Sequence, residues 1–179
     1  MNYYGGKEMA ASFRTVRKNT IRVAEDIPEE KYGFQVTPET RTIAQTLVHI
    51  AYSPEFAFHV HGNKITDMST VNFPELVQKM SAQEAKPRTK AEIVAVLRSE
   101  GERFASFLEG LPDAFLAESL TTPGGPQATR SRFDMLLSTK EHEMHHRAQL
   151  MLIERQLGIV PHITRQFQER LAQMKAAKA

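Results

Sequence analysis

Cysteine occurs nowhere in the 179 residues. Its absence excludes disulfides, thiolate zinc sites and a cysteine nucleophile, and it fits a reducing compartment. No run of apolar residues approaches the roughly 18 needed to cross a bilayer. The opening MNYYGGKEMAASFRTVRKN has no apolar stretch ahead of its charges, so it does not read as a secretory signal, and a cytoplasmic location is the expectation. Charge of one sign is also scarce. The 23 Lys and Arg against 21 Asp and Glu leave a formal net charge of +2, which gives no reason to expect nucleic acid or a membrane surface as partner. Internal repeats, low-complexity stretches and linkers are missing, so residues 1–179 read as one domain. What remains is ordinary globular material, 41% hydrophobic and 25% charged, enough for a sizeable core.

The periodicity is helical. Met9, Phe13, Val16, Thr20, Val23 and Ile27 step by three and four along one face, and Pro28 closes that helix. Thr42-Ile-Ala-Gln45 has capping-box spacing and opens a second helix, which Pro54 interrupts before it ends near Gly62. Residues 63–88 are polar and irregular, with room for a short helix around Pro74–Met80. Thr89-Lys-Ala-Glu92 caps a third helix that stops at Pro112. The turn-rich TTPGGPQAT follows, with a short extended piece expected at Thr121 and Thr122. Ser131 to Asp134 opens a fourth long helix running to Gly158, and Pro161 precedes a short fifth one. No alternating segment has convincing strand length. The expectation is an all-α four-helix bundle with a short extra C-terminal helix.

Seven histidines stand in the chain, at 49, 59, 61, 142, 145, 146 and 162. His142 and His146 are four apart, hence about 40° apart around a helix and one turn above the other, a spacing that lets two imidazoles converge on one metal ion. Met135, Thr139, Gln149 and Ile153 lie within roughly 60° of His142, so that face is partly apolar and points inward. A catalytic metal site wants a third ligand, and His49 on the second helix is the best candidate. A hydrogen-bonded core histidine beside the Pro54 break is the competing reading of His49. His145 points elsewhere, and His59 and His61 read as solvated.

His142-Glu143-Met144-His145-His146 matches the zincin pattern His-Glu-x-x-His, in which Glu143 is the general base and Glu169 a possible third ligand. The longer metzincin form fails because Gln149 stands where its glycine belongs, and the chain offers no strand to pair with an extended peptide. A zinc protease is therefore the weaker reading.

His49 within TLVHIAYS, the 93-residue gap, and the run His142-Glu-Met-His-His146-Arg147-Ala148-Gln149-Leu150 resemble the DinB/YfiT-like superfamily of bacterial proteins over nearly the whole chain. Ala148 replaces the glycine of the usual His-x-x-x-His-Arg-Gly-Gln-Leu. The resemblance implies an up-down-down-up bundle with a long connection. It implies a divalent ion, nickel or zinc, on His49, His142 and His146, and in some relatives thiol-dependent S-transfer or isomerisation.

Two functional classes follow. One is a metal-dependent enzyme, an S-transferase or hydrolase acting on a small molecule, with Glu143 and Gln149 as candidate catalytic residues that orient a ligand or water. Any thiol must come from a low-molecular-weight cosubstrate, because the chain has none. The other is a non-catalytic metal-binding or stress-response bundle. The fourth helix is also apolar behind its histidine face, at Phe133, Leu137, Met144, Ala148 and Met151. The fifth helix is too short to cover that stripe, so a homodimer is expected.

Overall fold

A computed structural model of the chain describes residues 4–124 and 128–177. Its framework is four long helices: α1 (Gly6–Asp26), α2 (Ile43–Tyr52), α5 (Lys90–Glu109) and α7 (Arg132–Gln156). Shorter helices α3 (Pro54–Ala57), α4 (Phe73–Glu84) and α6 (Asp113–Ala117) fill the connections, and α8 (His162–Ala176) closes the chain. Side-chain pairs give the directions. Arg14 meets Glu102 while Lys90 reaches the carbonyls of Glu25 and Ile27, so α1 and α5 are antiparallel. Lys140 reaches Tyr4 and Ser12 while Arg147 reaches the Val16 carbonyl, so α7 runs with α1. Ala44 N–H donates to the Tyr32 carbonyl just past the end of α1, and α2 runs back from there. The order is up-down-down-up.

The helix starts follow the local chemistry. Thr42 accepts from Gln45 N–H and Thr89 from Glu92 N–H, with the Gln and Glu side chains reaching back to the cap N–H groups. Ser131 caps α7 through Asp134 N–H. Pro54 has no N–H to donate and becomes the first residue of α3, and a π-helical turn, Phe58–Gly62, follows. Gly158 sits at φ +77° just past α7, a left-handed position that glycine takes without penalty.

Three expectations need adjusting. The short helix of the long connection runs Phe73–Glu84 rather than Pro74–Met80, because Asn72 caps it through Glu75 N–H and its last turn, Ser81 to Glu84, continues past the apolar residues that end at Met80. The turn-rich segment carries a small antiparallel hairpin, β1 (Ser119–Thr121) against β2 (Thr129–Ser131); residues 125–127 of its loop lie outside the described residues. His61 is buried, not solvated, and lies 3.4 Å from Arg132.

The core is in two parts. One cluster joins Ile21, Ile27, Leu47, Ile50, Leu97 and Leu150; the other joins Met9, Phe13, Phe104, Leu108 and Leu136. Between them lies a polar waist. Arg17 and Glu143, both buried, meet there through three hydrogen bonds of 2.9–3.1 Å. Arg17 also donates to the carbonyls of Leu97 and Ile50, which ties all four long helices together. Gly101 makes the space: a Cβ there would stand 2.6 Å from Arg17 Cγ.

Candidate metal centre

On the other side of α7 at the same level, three imidazoles converge. His49 comes from α2; His142 and His146 come from successive turns of α7. His142 Nε2 is 3.1 Å from His49 Nε2 and 3.1 Å from His146 Nε2. Ligands about 2.1 Å from one shared ion stand about 3.0–3.4 Å apart, depending on the angle between them, so this spacing fits a metal.

The outer hydrogen bonds fix which nitrogen carries the proton. His49 Nδ1 faces Glu84 Oε1 at 2.8 Å, and a carboxylate only accepts, so the proton is on Nδ1 and Nε2 is bare. His146 Nδ1 donates in the same way to Gln149 Oε1 at 2.8 Å. Two lone pairs therefore point at the third imidazole, an arrangement that one proton on His142 cannot satisfy but a cation can. Burial pushes all three histidines toward the neutral form, and His142 down to about 4, helped by the positive forms of its neighbours. Neutral imidazole is the ligand form.

Sequence reasoning missed Glu84 and Arg41. Glu84, at the end of α4, orients His49 with one oxygen and accepts from Arg41 Nε at 2.7 Å with the other. Carboxylate–histidine pairs of this kind hold ring orientation in metal sites. No spacing rule links positions 41, 49 and 84; the long connection brings them together.

The candidate catalytic residues do not face the centre as expected. Glu143 points about 100° away from His142, into the waist, where both its oxygens are held by Arg17. It is not placed as the base of a zincin site, and Glu169 on α8 lines a separate pocket that contains none of the three histidines. Gln149 orients His146 and bridges to the exposed His145 at 3.1 Å. Arg147 clamps α7 to the Val16 carbonyl, and Tyr52 stacks toward Arg88.

A cleft of about 370 Å³ opens beside the centre, with His49 and His142 in its wall. Ser53, Phe56, Met135 and Thr139 line it from the bundle, and α4 supplies the far side.

The DinB superfamily model matches residues 12–150. No curated protein is similar enough to match. Among solved structures, the chain is similar to a DinB-like protein, YjoA, of Bacillus subtilis, with 21% identity and TM-score 0.60, covering 84% of this chain and 92% of that one. It is also similar to YfiT from Bacillus subtilis, characterised as a probable metal-dependent hydrolase with an unusual four-helix bundle topology. There the identity is 14%, the TM-score 0.67, and the coverage 89% and 91%. A mycothiol-dependent maleylpyruvate isomerase matches at 12% identity and TM-score 0.63, covering 82% of this chain but 61% of that one.

Proposed function

The chain belongs to the DinB superfamily, and from that premise we propose that His49, His142 and His146 hold one divalent ion, nickel or zinc, for metal-dependent chemistry on a small molecule. The observation that carries this is the convergence of three imidazole nitrogens on one point beside an open cleft, two of them bare because their rings hold the proton on Nδ1 and donate it to Glu84 and Gln149. Such an ion supplies Lewis acidity and lowers the pKa of a water or thiol that reaches it. The chain's own part is to hold three neutral donors, to keep Arg41 beside them through Glu84, and to offer a partly apolar wall for a ligand.

Hydrolysis is the reaction this arrangement supports with water as the only cosubstrate, and it agrees with the description of YfiT. S-transfer is the second reading, because the same donor set would activate a low-molecular-weight thiol and one structural neighbour is mycothiol-dependent. A non-catalytic metal-binding bundle is the outcome if neither reaction is found. No helix among the described residues is long and apolar enough to cross a membrane, and a cytoplasmic setting is part of this reading.

A homodimer belongs to the same reading. Of the expected stripe on α7, Phe133 and Met151 pack against the core clusters while Met144 and Ala148 stay exposed, and Ile163, Phe167 and Leu171 of α8 stay exposed instead of covering them.

Metal analysis of the purified protein tests the proposal: one ion per chain, retained in His145→Ala and lost in His146→Ala. Equal loss in both variants overturns the ligand assignment. Turnover of ester, amide and thiol/electrophile panels before and after chelation then separates hydrolysis, S-transfer and a silent site.

A further inference from the structure

We propose that the cleft beside the histidines selects an amphipathic organic anion, its apolar body against α4 and its negative group on Arg130. The inference rests on the metal-centre reading only for where the reacting bond lies; the recognition surface stands on its own geometry.

The apolar half is α4. This helix packs against α2 yet buries no residue, and Phe73, Leu76, Val77 and Met80 all face the cleft. Phe73 is 57% exposed and Val77 44% exposed, and Phe56 meets Phe73 edge to face at 5.9 Å. Large apolar side chains left open beside a concave site, with few polar groups among them, are the usual lining for the carbon skeleton of a ligand. A volume of about 370 Å³ limits that ligand to a small molecule.

The charged half follows from counting who is already occupied. Three ionised side chains line the cleft: Arg41, Glu84 and Arg130. Glu84 is taken by His49 and Arg41. Arg130 has Asp134 as its partner at 2.6 Å, but Asp134 is exposed and does not line the cleft. Asp134 takes Nε of Arg130, and Nη2 goes to Ser138 and the Asp134 carbonyl, so among the described residues Nη1 is left to meet a negative group in the cleft. Arg130 is also held in place, by Asp134 and by Ser138 Oγ at 2.9 Å. These anchors lie one and two turns before His142 on α7, so the guanidinium stands about 6–12 Å along the helix axis from the histidines. That distance suits a ligand with its negative group at one end and its reacting bond at the other. The planar guanidinium favours a carboxylate, phosphate or sulfonate.

The test is binding of 4-phenylbutyrate and its neutral isostere 4-phenylbutanamide, followed by calorimetry, to the protein as purified and after chelation. The acid should bind about tenfold more tightly than the amide in both preparations, as one charged contact implies. Arg130→Gln should remove that preference while leaving amide affinity unchanged. Phe73→Ser, at an exposed position, should weaken both probes by about the same factor and keep the preference. A preference that survives in Arg130→Gln but disappears on chelation makes the metal the anchor and overturns the proposal. So does unchanged binding in Phe73→Ser, or no binding of either probe at millimolar concentration. Loss of metal stoichiometry with the acid preference intact would sink the metal reading alone.

Discussion

Replacing Glu143 by Gln removes one charge from the waist of the bundle and leaves the shape nearly unchanged. In the native chain Arg17 gives three hydrogen bonds to this carboxylate and one each to the Leu97 and Ile50 carbonyls, with neither member of the pair open to water. In Glu143→Gln the guanidinium is still buried, but its counterion is gone and the new amide turns one NH₂ toward other donors. Breaking one side of such a pair costs about 3–5 kcal/mol, mostly the uncompensated buried charge. For a chain of this length the unfolding entropy near the midpoint is about 0.4 kcal/mol per degree, so Tm should fall by about 8–13 °C. Urea unfolding of chelated protein is the assay, since a bound ion would add its own stabilisation. Arg17→Met should cost a similar amount by stranding the carboxylate, and the double variant Arg17→Met, Glu143→Leu should recover most of the loss. The amide oxygen in Glu143→Gln can still accept from Arg17 and so keep the rotation of α7, and the folded variant should therefore hold its metal and turn over. A loss under about 1 kcal/mol, or normal stability with turnover abolished, would restore Glu143 as a catalytic base and refute the structural role.

Further outcomes follow from single contacts. Glu84→Ala should weaken metal affinity by about 10–100-fold, read by competition with a chromophoric chelator, because His49 loses the group that orients it; unchanged affinity would mean that Glu84 is incidental. Glu154 is buried, neither oxygen finds a partner among the described residues, and burial followed by the charge of Asp26 raises its pKa to about 7. Its unfolded pKa is lower, so stability falls as pH rises from about 4.5 through 7, and Glu154→Gln should gain about 3 kcal/mol over the wild type between pH 4 and pH 8. Parallel stability curves for the two proteins would show that the carboxyl is solvated. Sedimentation equilibrium at micromolar concentration should give twice the chain mass of 20.3 kDa, and a mass near 20.3 kDa would refute the dimer.

Most of the bundle was legible in the sequence because its signals are local. Capping boxes at Thr42 and Thr89, the serine cap at 131, and the proline and glycine stops all act within four residues, and each sits where the helices begin and end. The pairing of His142 with His146 is local as well. His49 was the best candidate third ligand from its place on the second helix, but a core histidine stayed an equal reading there; family resemblance, not spacing, favoured the ligand, since 93 residues separate it from His142. What the sequence hid is of two kinds. Glu84 reaches the centre from the last turn of α4, beyond its apolar residues Phe73, Leu76, Val77 and Met80, and Arg41 from the loop just before α2, so no local pattern marks either as a neighbour of His49. Charged residues buried in α7, among them Arg132, Glu143 and Glu154, break the apolar stripe that would otherwise have shown which way the helix faces.

That broken stripe also explains how α7 aims its histidines. An apolar stripe tolerates small rotations of a helix about its axis, because neighbouring side chains repack at modest cost. A buried arginine does not, since its partner must lie within hydrogen-bond reach. With Glu143 turned inward to Arg17, His142 lies about 100° to one side and His146 about 60° to the same side, both toward α2. A rotation by one residue would put His142 against Arg17, where burial and a neighbouring cation both oppose its protonation and no lone pair would face the cleft. Arg17 also holds the Ile50 carbonyl, one residue beyond His49, so the same guanidinium sets the height of α2 against α7. The Arg17–Glu143 pair thus acts at a distance on the three imidazoles: it touches none of them, yet it fixes the rotation of one helix and the level of the other on which their convergence depends.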